Sequence, residues 1–294
     1  MRTISPRSYS RLAFTALVFL CVIVLTGAAV RLTGSGLGCE DWPRCNEERF
    51  IDVSSTHGAI EQVNRLFTGL VALSVILAVL GAHRRLPRRP DLVRLAWGLV
   101  AGVVGQVVLG GIVVLTDLHP LANQGHFLLS MVLVTNATVL WVRSADDQRV
   151  DRNGRRSLSQ RLALIAFVLG GVALYTGTIV TGSGPHAGDE EARRFGFDIS
   201  HVARIHGISV ILFLLALFAI IVVVRRVRNE WKSMSGVLEA TMAIGVIQAA
   251  VGYTQYFNDI PAVLVAIHIA GATAIMIALT RLVTQSNRIS VDVA

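Results

Sequence analysis

Eight apolar runs, each long enough to cross a bilayer as a helix, dominate this chain. One crossing takes about 20 helical residues. The runs lie near 11–31, 58–81, 93–115, 121–142, 161–181, 200–224, 235–257 and 262–284. In hydrocarbon a backbone must satisfy its own polar groups, so runs of this length predict helices. Their glycines fit, because glycine is common in transmembrane helices. Hydrophobic residues make up 53% of the 294 residues and charged residues 16%, whereas a soluble domain carries about a quarter charged. That balance excludes a disordered chain, a collagen-like chain and an ordinary soluble enzyme. The net charge of +8 does not mark a nucleic-acid surface, because it sits in short clusters between the apolar runs. Arg2, Arg7 and Arg11 before the first run resemble the start of a cleaved signal peptide. That run is long for such a segment, and seven more follow.

Basic residues set the direction of the spans. The N-terminus, the second, fourth and sixth loops and the C-terminal tail together hold 20 of the 27 Lys and Arg residues. The opposite loops hold only Arg31, Arg44, Arg49, Arg193 and Arg194, mixed with acids. By the positive-inside rule both termini are expected in the cytoplasm, with loops 32–57 and 182–199 outside.

The chain also repeats itself. Gln106, Gly110, Asp117 and His126 recur as Gln248, Gly252, Asp259 and His268 at a constant offset of 142. Pro120 and Pro261 agree within one residue, and Thr33-Gly34-Ser35-Gly36 recurs as Thr181-Gly182-Ser183-Gly184. The expectation is an all-α polytopic membrane protein of two pseudo-twofold-related four-helix bundles, 1–142 and 161–294, joined by a cytoplasmic linker at 143–160. An even number of spans per half gives both halves one orientation, unlike inverted-repeat transporters. Each bundle can hold a cofactor between facing helices.

Three histidines lie inside spans. His126, His206 and His268 each fall about six residues, or roughly 9–10 Å, below the expected outer surface. An ionisable residue at that depth faces the protein interior and has a partner, and neutral imidazole is a common haem ligand. His206 and His268, at similar depth on different helices, are placed to grip one iron from its two faces. In the first half, the position matching His206 is Asn64. Around it, His57, Glu61 and Asn64 share one helix face at i, i+4 and i+7. Glu61 is suited to proton transfer, and its spacing to Arg65 also fits an i, i+4 ion pair. Both readings can hold together. His83, His119, His186 and His201 lie in or near loops and are not expected to be ligands.

Cys39 and Cys45 share the first external loop, where an oxidising exterior makes a disulfide plausible. It would brace a loop containing Asp41, Trp42 and Pro43; a redox role is the sharper alternative. Cys21 reads as a small core residue of the first span.

The run Arg31-Leu-Thr-Gly-Ser-Gly-Leu-Gly-Cys39-Glu-Asp-Trp-Pro-Arg-Cys45, followed by Glu61-Gln-Val-Asn64-Arg65, resembles the haem A synthase family. Members convert haem O to haem A for cytochrome oxidase. The resemblance covers nearly the whole chain and implies haem b between His206 and His268 in the second half. It implies substrate haem O in the first half, with His126 as an iron ligand and Glu61 assisting proton transfer as the C8 methyl becomes a formyl. It also implies a bacterial plasma membrane location, haem O supplied by haem O synthase, and an electron donor or acceptor. It admits a homo-oligomer and involves no nucleic acid.

This sequence departs from the family at two points. The usual Glu-x-x-His reads Glu61-Gln-Val-Asn64, so the substrate iron has one strong protein ligand or His57 supplies the second. A second external cysteine pair, found in some members, is absent. Arg31, Arg65 and Arg204 are candidates to pair with haem propionates. Two other readings compete: a b-type cytochrome that only transfers electrons, which leaves Glu61 unexplained, and a transporter using Glu61 as a proton relay, which requires no haem.

Overall fold

The structure is a computed structural model that describes residues 3–145 and 157–287. Among these the chain forms eight helices: α1 (Pro6–Leu32), α2 (Thr56–Arg84), α3 (Pro90–Leu115), α4 (Pro120–Ser144), α5 (Leu158–Ser183), α6 (Ile199–Arg225), α7 (Arg228–Phe257) and α8 (Ala262–Ser286). All eight are long and apolar enough to cross a membrane. Arg2, Arg149, Arg152, Arg155, Arg156 and Arg288 of the orientation argument, and 146–156 of the expected linker, lie outside the described residues.

The helices run a few residues beyond the apolar stretches because capping chemistry, not hydropathy, sets their ends. Ser5 and Ser55 accept backbone N–H groups at the starts of α1 and α2, as N-cap serines do. Proline opens α1, α3 and α4, where its missing N–H costs nothing. Helix α7 differs most from expectation. It starts at Arg228, seven residues early, because its polar first turns are helical even though they are not apolar.

The helices fall into two compact units, Met1–Ala145 with Thr178–Ile199, and Asp146–Gly177 with Ser200–Ala294. The loop 184–198 therefore groups with the first unit. There, α1 packs on α2 and α4, and α3 packs on the same two, which puts α2 and α4 on a diagonal of the bundle. Tyr9, Ala13, Ala16, Leu17 and Leu20 form the buried stripe of α1, spaced as a helix face requires. Val71, Val75 and Ala78 of α2, Leu92, Ala96 and Leu99 of α3, and Val134, Ala137 and Leu140 of α4 are buried with them at the Arg-rich end. In the second unit Ala163, Phe213, Leu217, Met234, Leu238 and Leu279 form the corresponding core.

The repeat is visible in the backbone. Asp117 and Leu118 after α3 have φ of 51° and 59°, and Asp259 and Ile260 after α7 have φ of 57° and 55°. Two successive left-handed residues are costly for L side chains. In both turns the second residue's N–H closes on a carbonyl five residues back, Leu118 to Val113 at 2.8 Å and Ile260 to Gln255 at 2.9 Å. That bond satisfies a helix-end carbonyl and turns the chain directly into the helix that carries His126 or His268.

Candidate functional site

In the second unit, the rings of His206 on α6 and His268 on α8 meet edge-on, with centroids 6.3 Å apart and planes at 85°. Metal–imidazole bonds of about 2 Å put two trans imidazole nitrogens about 4 Å apart and their ring centres about 6 Å apart. The pair therefore has the separation of two axial ligands on one iron. The His206 Nδ1 donates to the Ala173 carbonyl at 3.0 Å and lies 3.2 Å from Thr176 Oγ1. A carbonyl only accepts, so Nδ1 carries the proton and Nε2 keeps a free lone pair. Both rings lie against glycine: a Cβ at Gly177 would stand 3.1 Å from His206 Cε1, and one at Gly252 3.3 Å from His268 Cε1. Among the described residues no group of three His, Cys, Asp or Glu side chains could hold a bare metal ion. A porphyrin brings its own four nitrogens, so two histidines would be enough to hold one here.

The first unit has half of this arrangement. His126 on α4 rests over Gly110, where a Cβ would stand 3.5 Å from its Cε1. Its Nδ1 is buried and has no hydrogen-bond partner among the described residues. On the diagonal helix α2, the place that His206 holds in the other unit belongs to Asn64, whose Oδ1 accepts from Thr26 Oγ1 at 2.8 Å. His57 is exposed, and its Nδ1 lies 2.9 Å from Ser35 Oγ in the loop 33–55. The residues present thus fit one axial imidazole in this unit and two in the other.

Glu61 is buried and points to the loop 33–55. Its Oε2 accepts the Cys39 backbone N–H at 2.8 Å, and its Oε1 accepts Arg65 Nε at 2.9 Å and Arg65 Nη2. Arg65 continues to the carbonyls of Asp41 and Arg44, at 3.1 and 3.0 Å. Cys39 and Cys45 form a disulfide and are both buried. The Trp42 ring of the same loop lies on Gly111 of α3, next to the glycine beneath His126. One loop therefore joins the disulfide, the Glu61–Arg65 pair and the helix that seats the histidine.

The other candidate arginines have different surroundings. Arg31 donates to the carbonyls of His186 at 2.6 Å and Thr181 at 3.0 Å, and so fastens the start of loop 184–198 to the end of α1. Arg204 is exposed on α6. Two features had no role in the sequence reading. Thr176 orients His206, and the glutamines of the repeat, Gln106 and Gln248, lie next to the histidines. The repeat contained the signal for the glutamines, because polar residues shared by two apolar helices require an explanation.

Residues 10–57 and 50–188 match the family model described as cytochrome oxidase assembly protein (COX15-CtaA), which takes in Glu61, Asn64 and His126. A heme A synthase of Lysinibacillus sphaericus (strain C3-41) is 31% identical over 120 residues, 40% of this chain and 37% of that protein. One from Shouchella clausii (strain KSM-K16) is 26% identical over 178 residues, 59% of each chain. One from Listeria monocytogenes serotype 4b (strain F2365) is 29% identical over 175 residues, 57% of each. The aligned part of the chain spans less than two thirds of the length of each of these relatives.

Proposed function

The chain belongs to the cytochrome oxidase assembly protein family, and on that premise we propose that it is a haem A synthase, oxidising the C8 methyl of haem O to a formyl. The observation that carries this reading is the unequal equipment of two repeated units. One brings the His206 and His268 rings to 6.3 Å between centroids, a pair that would hold one haem. The other presents His126 with Asn64 in place of the second imidazole. Two strong ligands suit electron transfer, and one leaves room for chemistry at the other face. We assign haem b to the second unit and substrate haem O to the first.

Turning a methyl into a formyl with the oxygen of one water releases four protons and four electrons. Bound haem would supply the redox chemistry that no side chain of this chain can perform. The protein's share is to hold the porphyrins and to move protons. His126, seated over Gly110, would fix the substrate, and Asn64 would stay on Thr26 rather than on the metal. Glu61 is the proton carrier of the first unit. Each of its oxygens already accepts an N–H, so it takes a proton by giving up a bond from Cys39 or Arg65. The Glu61–Arg65 pair and the disulfide loop above it also limit water at that end of the bundle. This reading places the protein in the bacterial plasma membrane with both termini in the cytoplasm. Its substrate comes from haem O synthase, and it exchanges electrons with a separate carrier.

The test is a reduced-minus-oxidised spectrum with haem extraction, on wild type and Glu61→Gln. Wild type should yield haem A or its hydroxylated precursor. Glu61→Gln should keep its bound haem and yield neither. Extraction of haem b alone from wild type would favour an electron-transfer cytochrome, and full activity in Glu61→Gln would remove the carboxylate from the mechanism.

A further inference from the structure

The repeat leaves the same two atoms unsatisfied in each unit. Among the described residues, Gln106 Oε1 and His126 Nδ1 in the first unit, and Gln248 Oε1 and His268 Nδ1 in the second, are buried with no hydrogen-bond partner. The two pairs are related by the offset of 142. An amide oxygen only accepts, and an imidazole nitrogen bearing hydrogen donates. Each unit therefore buries one unmatched acceptor and one nitrogen of complementary kind, and the two are not bonded to each other in this structure.

Packing sets each glutamine against the helix that carries its histidine. Gln106 lies one turn along α3 from Gly110, the residue beneath the His126 ring. Its Nε2 donates to the His126 backbone carbonyl at 3.1 Å and to Ser130 Oγ at 2.7 Å. The donor end of the amide is thus held against the histidine's own backbone, and the acceptor end is uncommitted. Gln248 lies one turn from Gly252, beneath the His268 ring, and its amide occupies the space where Gly271 lacks a side chain, three residues after His268. His206 needs no such help, because Ala173 and Thr176 already fix its Nδ1.

We infer that Gln106 and Gln248 are positioning residues: with haem bound, each turns its free amide oxygen to accept the Nδ1–H of its histidine, a bond not made in this structure, so that Nε2 is left unprotonated for iron. The inference rests on the haem reading above and adds residues to it. An acceptor on the far nitrogen fixes the tautomer and raises ligand basicity, and losing one typically costs about 10–100-fold in metal affinity.

The experiment uses the full-length protein purified from haem-replete cells, as wild type, Gln248→Met and Gln248→Glu. Haem retention, midpoint potential and the electron paramagnetic resonance spectrum of the oxidised haem are measured for each. Methionine fills the space without an acceptor, so the potential should rise and retention should fall about 10–100-fold. Glutamate returns an acceptor oxygen, so retention should recover and the potential should return to the wild-type value or fall below it. A Gln248→Met protein with unchanged retention, potential and resonance spectrum overturns the inference. Loss of haem from both variants also overturns it, since that marks a packing role. A colourless wild type removes the haem reading itself and this inference with it.

Discussion

Glu61 and Arg65 bind each other and the loop above them, so each is fixed at both ends. With Arg65 removed, Glu61 keeps only backbone N–H groups, those of Cys39 and Gly38. Arg65→Met should therefore cost about 3–5 kcal/mol, as breaking a buried pair does, and lower the thermal midpoint in detergent. Arg65→Lys should cost less, because it keeps the charge but loses the fork that reaches Asp41 and Arg44. Asn64 gives a second residue-scale prediction. Asn64→His puts an imidazole where the other unit has His206, and should turn the first-unit haem into a six-coordinate low-spin species, read from its absorption spectrum. An unchanged spectrum would mean that Asn64 does not face the iron. The pair of Glu61 and Arg65 was legible in advance because i, i+4 spacing is a local property of a helix. The Cys39, Asp41 and Arg44 contacts were not legible, since they depend on where a loop of irregular structure folds.

At the scale of elements, the turns after α3 and α7 and the disulfide loop decide how the helices present their side chains. Asp117 and Asp259 are exposed and left-handed. Asp→Gly at either position should leave the thermal midpoint unchanged or raise it, and Asp→Val should cost about 1–2 kcal/mol. Equal effects of Gly and Val would show that the backbone there is not strained. The disulfide closes a short loop, so Cys45→Ser should cost about 2–3 kcal/mol by loop entropy and expose the Arg65 region to protease. In the same loop, Asp52 accepts from the Ser54 N–H at 2.9 Å and from Asn46 at 2.8 Å. The Ser54 bonds are the main cause holding its carboxyl below the usual carboxylate range. Its contribution is therefore full above that range and is lost as pH falls through the lowered value. Protease digestion of the loop should quicken only on acidification to that point. Hydropathy located every helix, but not the early start of α7, where the first turns are polar and the membrane has no say.

At the scale of the molecule, Arg placement predicts that a reporter fused after Ala294 is active only as a cytoplasmic reporter and one inserted in loop 32–55 only as an external one. The reverse pattern would invert the assignment of the haem-facing side. The sequence by itself determined eight helices, their duplication and the residue types of the site, because these follow from periodicity and from the cost of polar groups in hydrocarbon, which act along the chain. Only the tertiary structure decided that the His206 and His268 rings stand 6.3 Å apart, that Asn64 is taken by Thr26 and His57 lies by Ser35, and that loop 184–198 groups with the first unit. Those are distances between residues far apart in the chain, set by how helices pack and loops cross, and no local pattern encodes them.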